Sequence, residues 1–262
     1  MIYIENCIDT MRRMESESID LVVTSPPYDR LRNYQVSSDF SSQFDEIANE
    51  LLRVLKVGGV LVWIVADQTI NGSETGTSFR HALKFQEIGF NIHDTMIWTK
   101  HSIPKTHRRY EQEFEYMFIL SKGKPKTFNP VMIKSKYFGA NRTCVIRQTG
   151  AAKQLNSAAS GMKRKTPAKE TRIKGNIWHC AIGRHSSVDP EAFEHPAIFP
   201  EKLVADHIYS WSNEGDTVYD PFGGSGTTLK MAILAGRNGI MSETNPQYAQ
   251  IAQNRIDKYT QQ

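Results

Sequence analysis

The chain has 262 residues, 39% hydrophobic and 23% charged. That is the size of one large domain, or of a domain with a sizeable insert, and it excludes general disorder. No apolar run approaches the ~18 residues of a membrane span, and the opening MIYIENCIDT lacks the basic-then-apolar pattern of a signal peptide, so a cytoplasmic protein with no membrane partner is expected. Cys7, Cys144 and Cys180 form no CxxC pair and no zinc spacing, which predicts neither a disulfide framework nor a metal site. The net charge of +4 conceals an asymmetry. Residues Pro130 to Ile177 hold eleven Lys and Arg against the single acid Glu170, so the remainder is net acidic. A concentrated basic segment suits a polyanion partner or a solvated loop.

Ile19 to Val23 is a short β-branched run ended by Pro26-Pro27. Phe44, Ile47, Ala48, Leu51, Leu52 and Leu55 fall at helical spacing, with Gly58-Gly59 as the stop. Val60–Ala66 reads as a buried strand, Ser78–Ile88 as a helix, and Asn91–Thr99 and Glu113–Ser121 as two further strands. From Pro125 to Gly175 the periodicity breaks, which predicts an inserted, loop-rich region. Beyond it the pattern gives a helix over Glu201–Trp211, a strand over Thr217–Asp220, a helix over Thr227–Ala235, a strand over Asn238–Glu243, and a helix over Pro246–Tyr259 with proline at its start. Alternating strands and helices predict an α/β fold, a mainly parallel sheet with helices on both faces.

Two loops carry chemistry. Asp220-Pro221-Phe222-Gly223-Gly224-Ser225-Gly226-Thr227-Thr228 follows a strand and opens a helix, so its backbone can approach a ligand closely. It is neither a Walker loop nor a spaced GxGxxG. Glu243 ends the next strand, where an acid accepts hydrogen bonds from ribose hydroxyls or favours the start of the following helix. Thr24-Ser25-Pro26-Pro27-Tyr28 directly follows the first strand. Its prolines cannot donate, so carbonyls around them are free to accept, and a ring closes the loop. An acceptor cluster beside an aromatic ring suits a planar group with an amino edge, such as a flipped nucleobase, as well as an ordinary turn with a core tyrosine.

Together these segments resemble the S-adenosylmethionine-dependent DNA amino-methyltransferases. TSPPY at 24–28 is similar to their catalytic motif and DPFGGSGTT at 220–228 to their cofactor loop. HPAIFPEKL at 195–203 is similar to the segment before that loop, and GIMSETNPQY at 239–248 to the acidic strand end. RVLKVGGVLVW at 53–63 and EYMFILSKG at 115–123 fit the sheet framework. The catalytic motif precedes the cofactor loop, the circularly permuted order of the beta class. The resemblance implies a Rossmann-like methyltransferase fold whose catalytic half is 1–128 and cofactor half 177–262, with a target-recognition region inserted at 129–176. It also implies an enzyme of a bacterial, archaeal or phage-infected cell.

The resemblance further implies direct in-line methyl transfer to an exocyclic amino nitrogen of double-stranded DNA, with base flipping. Carbon methylation is rejected because no Pro-Cys catalytic motif is present. Ser25 and the Pro26 carbonyl would accept from the amino group, beside Pro27, and Tyr28 would stack on the extruded base. Phe222, Gly223, Gly224, Ser225 and Gly226 would wall the methionine portion of the cofactor, with Phe199 beside them. Glu243 would hold the ribose, Asp220 would orient the loop or the cofactor amine, and the adenine edge would meet Cys7 and Ile8. His195 is expected to be structural, and Thr227 and Thr228 ligands or helix caps. Serine at the head of the motif favours cytosine N4, with adenine N6 the alternative. Lys134, Lys136, Arg142, Arg147, Lys163, Arg164, Lys165, Arg172 and Lys174 are candidate DNA contacts. His101, Lys105, His107, Arg108 and Arg109 form a second basic cluster. Tyr137 and Phe138 read as core of the insert rather than as a wedge.

An oxidoreductase would show GxGxxG near the N-terminus and leaves SPPY unexplained. A protein-glutamine or RNA methyltransferase would place Asn-Pro-Pro-Tyr after the cofactor loop. A non-catalytic DNA-binding derivative of the fold, a homodimer and a cognate restriction endonuclease all stay open.

Overall fold

The structure, a computed structural model, describes residues 1–27, 40–100, 108–139, 141–145, 163–167, 169–183 and 186–260, with backbone alone for 40–41, 141–145 and 163–167. Tyr28, His101, Lys105, His107 and Arg147 lie outside the described residues. Two compact units emerge, one of residues 1–129 and 176–262, the other of residues 130–175.

The first unit is built on an eight-stranded sheet. In chain order its elements are β1 (Ile2–Tyr3), α1 (Cys7–Arg13), β2 (Ile19–Thr24), α2 (Phe40–Val54), β3 (Leu55–Val65), a small hairpin of β4 (Thr69–Ile70) and β5 (Ser73–Glu74), α3 (Thr77–Ile88), β6 (Asn91–Thr99) and β7 (Phe114–Ser121). The second unit contributes β8 (Met132–Lys134), β9 (Asn141–Val145), β10 (Lys163–Pro167) and β11 (Thr171–Ile173). The first unit then resumes with β12 (Ile177–His179), α4 (Glu201–Trp211), β13 (Thr217–Asp220), α5 (Thr227–Leu234), β14 (Asn238–Ser242) and α6 (Pro246–Thr260).

The large sheet runs β1-β14-β13-β2-β3-β7-β6-β12. Every neighbouring pair is parallel except those made by β7, which is antiparallel to both β3 and β6. The continuous apolar runs of β2 and β3 follow from burial on both faces. On one face Val22, Leu61, Trp63, Phe118 and Tyr219 pack with residues of α1, α2 and α3 in a single core. The alternate residues Leu21, Val23, Val62, Ile64, Met117 and Ile119 are equally buried. They face the other way, where α4 meets β2 and β3 and His207 reaches the Met117 sulfur at 3.3 Å. Among the described residues no helix is long and apolar enough to cross a membrane.

One boundary differs from the sequence pattern. Leu55 belongs to β3, not to the helix, and Gly58-Gly59 lie inside that strand. The cause is Asp20, 4% exposed at the start of β2. Its carboxylate accepts from Lys56 Nζ at 2.7 Å and from the Thr217 amide at 3.0 Å, and Lys126 lies 3.5 Å away. Burial pushes the Asp20 carboxyl up, but these partners outweigh it and hold it below the ordinary range. Leu55 pairs with Ile19 and Val60 with Leu21, so residues 56–59 form an irregularity in the β2–β3 register, held at its start by the Lys56–Asp20 contact. Glycine is required at 59, because a Cβ there would stand 2.8 Å from Leu55 Cγ, 2.9 Å from the Lys56 carbonyl and 3.0 Å from the Asp20 carbonyl. Gly59→Ala is expected to lower stability by about 1–3 kcal/mol, read as an earlier urea unfolding midpoint with an unchanged slope.

In the second unit β9 pairs with β10 and β8 with β11, both antiparallel. Tyr137 and Phe138 are 55% and 65% exposed, so they do not form the core expected of them. The strands are too short, and too rich in Lys and Arg, to cover two rings.

Candidate cofactor and catalytic site

Parallel β2, β13 and β14 end at the same edge of the sheet, the edge where open α/β sheets bind ligands. Their ends deliver Ser25, Asp220 and Glu243. A cavity of about 870 Å³ opens there, lined, among the described residues, by segments of the first unit. Its walls include Asn6 and Cys7, Ser25 and Pro27, Gln43 and Ile47 of α2, Trp98, Glu115, His195, residues 197–199, residues 220–225, Thr227 and residues 242–248.

Asp220 organises the loop. It is 3% exposed, and its Oδ1 accepts from the Thr24 hydroxyl at 2.6 Å and from the Phe222 amide at 3.0 Å. Burial still pushes its carboxyl up to about 6, against the pull of those bonds. Gly224, at φ +51°, turns its amide onto Glu243 Oε2 at 2.8 Å, while Glu243 Oε1 takes the Asn245 amide at 2.8 Å. Burial raises the Glu243 carboxyl as well. A side chain at 224 would strike the His195 ring, whose Nε2 lies 3.0 Å from the Cβ position. His195 Nδ1 accepts the Ala197 amide at 3.1 Å, and its ring meets Tyr248 edge-on at 4.3 Å. Phe222 presents one side to the cavity and packs at 6.1 Å against Trp63 in the core.

The structure therefore gathers Cys7, Ser25, Pro27, Phe199, Asp220, Phe222, Gly223, Gly224, Ser225, Thr227 and Glu243 on one cavity. Ile8, Pro26 and Gly226 do not line it. Ile8 turns into the core beneath α1, and Pro26 is buried. Gly226 is packed so closely on Ala252 that a Cβ would come within 2.6 Å. Cys7 is a neutral thiol, pushed up to about 12 by burial. Neither threonine caps α5, whose N-cap is Gly226. Thr227 Oγ1 instead accepts from Arg255 at 3.1 Å, and the Thr228 hydroxyl donates to the Val23 carbonyl at 3.2 Å.

In the second unit Lys134, Lys136 and Arg172 are exposed and Lys174 half-buried. Arg142, Lys163, Arg164 and Lys165 sit on the paired strands β9 and β10. In the first unit Arg109 is tied to the Gly72 carbonyl and lies 3.7 Å from Glu74. Among the described residues no group of His, Cys, Asp and Glu is arranged to hold a metal ion.

Sequence reasoning missed the ion cluster that fixes the 186–201 segment. Lys230 Nζ donates to Asp189 and Glu201, both at 2.8 Å, and Arg255 donates to the same two carboxylates at 2.9 Å. Tyr259 adds its hydroxyl to Asp189 at 2.9 Å. The Arg255 side chain is 0% and that of Lys230 2% exposed. Burial favours the neutral Asp189, but Lys230, Arg255 and Tyr259 overcome it and hold the carboxyl down at about 2. A lysine inside the apolar run TTLKMAIL was the available signal. Trp98, Glu115 and Tyr248 also line the cavity without having been singled out.

A glycine-rich turn, an acid at the next strand end and an acceptor loop on one cavity define an α/β enzyme of the methyltransferase class. Residues 19–254 match the family model described as DNA methylase, and the chain belongs to that N6/N4 DNA methyltransferase family. It is 51% identical over 245 residues to the orphan methyltransferase M.BamHII of Bacillus amyloliquefaciens, covering 92% of this chain and 90% of that protein. The DNA adenine methyltransferase YhdJ of Escherichia coli (strain K12) is 26% identical, over 94% and 79% of the two chains. Among solved structures, the cytosine-N4-specific PvuII DNA methyltransferase shares the fold at a TM-score of 0.71 and 22% identity, covering 97% and 85%. A DNA modification methylase of Thermus thermophilus, complexed with S-adenosyl-L-methionine, does so at 0.65 and 23%, covering 98% and 93%.

Lys230→Met leaves two buried carboxylates sharing one cation, and is expected to cost about 3–5 kcal/mol in urea unfolding at neutral pH. The stability contributed by Asp189 is complete above the ordinary aspartate range near pH 4 and is lost as pH falls through about 2. The gap between wild type and Asp189→Asn should therefore close over that acid interval.

Proposed function

We propose that this DNA methyltransferase transfers the methyl group of S-adenosylmethionine to N4 of cytosine in double-stranded DNA, at a specific site, with the base extruded. The observation that carries the reading is the cavity itself, which Ser25 and the Asp220–Thr227 turn line together. A cationic cofactor suits the carboxylates at its wall, and the paired backbone amides on Glu243 leave that carboxylate further lone pairs for ribose hydroxyls. Phe199 and Phe222 supply apolar walls. Bound there, S-adenosylmethionine provides an electrophilic methyl group.

Ser25, at the cavity wall, accepts from the amino group and holds its lone pair toward the methyl carbon, so the chain acts by positioning and by electrostatics. Tyr28 stacks on the base. Cytosine is favoured by the serine that heads the motif, and the kinship to a protein described as cytosine-N4-specific supports it. Adenine N6 is the second reading, favoured by the relative described as an adenine methyltransferase. The basic unit of residues 130–175 is the target-recognition region, with Lys134, Lys136, Arg142, Arg147, Lys163, Arg164, Lys165, Arg172 and Lys174 toward DNA.

Unmethylated DNA incubated with labelled S-adenosylmethionine and digested to nucleosides should yield N4-methylcytosine by mass spectrometry; N6-methyladenine would overturn the choice of base. Ser25→Ala should lower the single-turnover rate by about 10²-fold with cofactor affinity unchanged, whereas Glu243→Ala should weaken the cofactor by equilibrium titration. Replacing Lys134, Lys136 and Arg172 by Ala should weaken DNA binding across all sequences. It should also flatten the salt dependence by about one unit of slope per lost phosphate contact, measured by fluorescence anisotropy.

A further inference from the structure

Methylation of an amino nitrogen releases a proton, and Ser25 is too weak a base to receive it. Among the described residues six titratable side chains line the cavity: Cys7, Glu115, His195, Asp220, Glu243 and Tyr248. Five stand on the cofactor side. The Cys7 thiol is pushed up to about 12. Asp220 has its Oδ1 taken by the Thr24 hydroxyl and the Phe222 amide at the cofactor turn, and Glu243 bridges the Gly224 and Asn245 amides. His195 accepts the Ala197 amide and lies under Gly224, with Tyr248 against its ring.

Glu115 is different. It stands at the start of β7, two strands from β2 across the sheet. Register places it well: Thr24 pairs with Trp63, and Trp63 with Phe118. Glu115 therefore lies three residues beyond that level on β7, as Pro27 does beyond Thr24 on the other side. Two strand spacings amount to about 10 Å, a gap that a planar base with a hydrogen bond on either side can fill. Directly opposite Glu115 on antiparallel β6 is Trp98, and both line the cavity. Trp98 is fixed by its indole N–H on the Cys180 carbonyl at 3.0 Å. Lys100 donates to the Glu115 carboxylate and lies 5.5 Å over the Trp98 ring. A carboxylate 4% exposed, beside an aromatic face and anchored by a lysine, is costly to build unless it has a task.

Building on the methyltransferase reading, we propose that Glu115 is the proton acceptor of the reaction, placed across the base from Ser25 with Trp98 as its apolar wall. As the N–C bond forms and the S–C bond breaks, the amino nitrogen becomes cationic and the sulfur leaves neutral. The excess N–H proton passes to a Glu115 oxygen, the electrons of that N–H bond remain on nitrogen as its lone pair, and the carboxylic acid returns its proton to water on product release. Lys100 holds the carboxylate in place and is a positioning residue.

The test begins with wild-type single-turnover methylation of unmethylated DNA, because failure at that point would overturn the methyltransferase reading itself, and this proposal with it, before any variant is made. Glu115→Gln should bind S-adenosylmethionine with unchanged affinity and methylate about 10²–10³-fold more slowly. In Glu115→Ala, formate at constant ionic strength should restore part of the rate, while chloride should not; a merely structural loss would answer to neither. The double variant Glu115→Gln with Lys100→Met removes both charges of the pair and guards against misfolding from a stranded ammonium; it should show the same loss at the same cofactor affinity. Wild-type rates in Glu115→Gln, or no response of Glu115→Ala to formate, would overturn the proposal.

Discussion

The bond from the Thr24 hydroxyl to Asp220 Oδ1 joins the two loops on which the site depends, across 196 positions of sequence. The same oxygen takes the Phe222 amide, so one buried atom fixes the end of β2 and the turn after β13 together. Thr228 adds a second stitch by donating to the Val23 carbonyl at 3.2 Å. A carboxylate without water is costly, and burial moves Asp220 up to about 6 in spite of its donors. What the fold obtains in return is a rigid relation between the acceptor loop and the cofactor loop. In-line transfer needs reacting atoms within a narrow range of distance and angle, and small misplacements cost rate steeply. Because the tie is made at the sheet edge and not along the chain, the order of the loops in sequence is free. This physical freedom underlies a permuted fold.

The segment from 186 to 201 presents a different problem. It carries His195 and Phe199 to the cavity with a single 3-10 turn, Pro190–Glu194, as its regular structure. Few backbone bonds hold such a segment, so side chains must. Asp189 and Glu201, at either end, are each gripped by both Lys230 of α5 and Arg255 of α6. Apolar packing of similar volume would stabilise as well or better. Four charges with fixed donors, however, admit one arrangement, and Arg255 extends it to the cofactor turn through the Ser225 carbonyl and Thr227. Position, more than stability, is what the cluster supplies.

The alternation of strands and helices was legible, and the elements after residue 200 fall within a residue of their sequence boundaries, because each is bounded by a glycine, a proline or a charge. The start of β3 was not, since Leu55 continues the helical spacing and only the Asp20–Lys56 pair draws it into the sheet. Ser25, Asp220, Phe222 and Glu243 could be read because each lies in a short contiguous motif. Trp98 and Glu115 could not: 17 positions apart in sequence, they become neighbours through the antiparallel register of β6 and β7, and register leaves no local mark. Glu115 nonetheless shows one trace, an acid heading an otherwise apolar strand. The rings of Tyr137 and Phe138 misled because aromatic residues in a polar segment suggest a small core, whereas the short strands around them bury neither.

Charge is sorted between the two units in a way that bears on how a base reaches the cavity. The 130–175 unit is strongly basic and the rest of the chain is net acidic. Among the described residues three carboxylates, Glu115, Asp220 and Glu243, line the cavity itself. That surface welcomes a cationic sulfonium and repels phosphate. On the proposed reading, a duplex is attracted by the basic unit, yet its backbone is unwelcome at the cavity, so only an uncharged part of a nucleotide can enter. A base turned out of the stack would meet this demand, because its neutral amino edge enters the cavity while its phosphates stay outside. The cost of extrusion, a few kcal/mol, is offset by stacking on an aromatic side chain, worth about 1–3 kcal/mol. Electrostatic sorting then selects the flipped nucleotide over any alternative that would carry its charge inward.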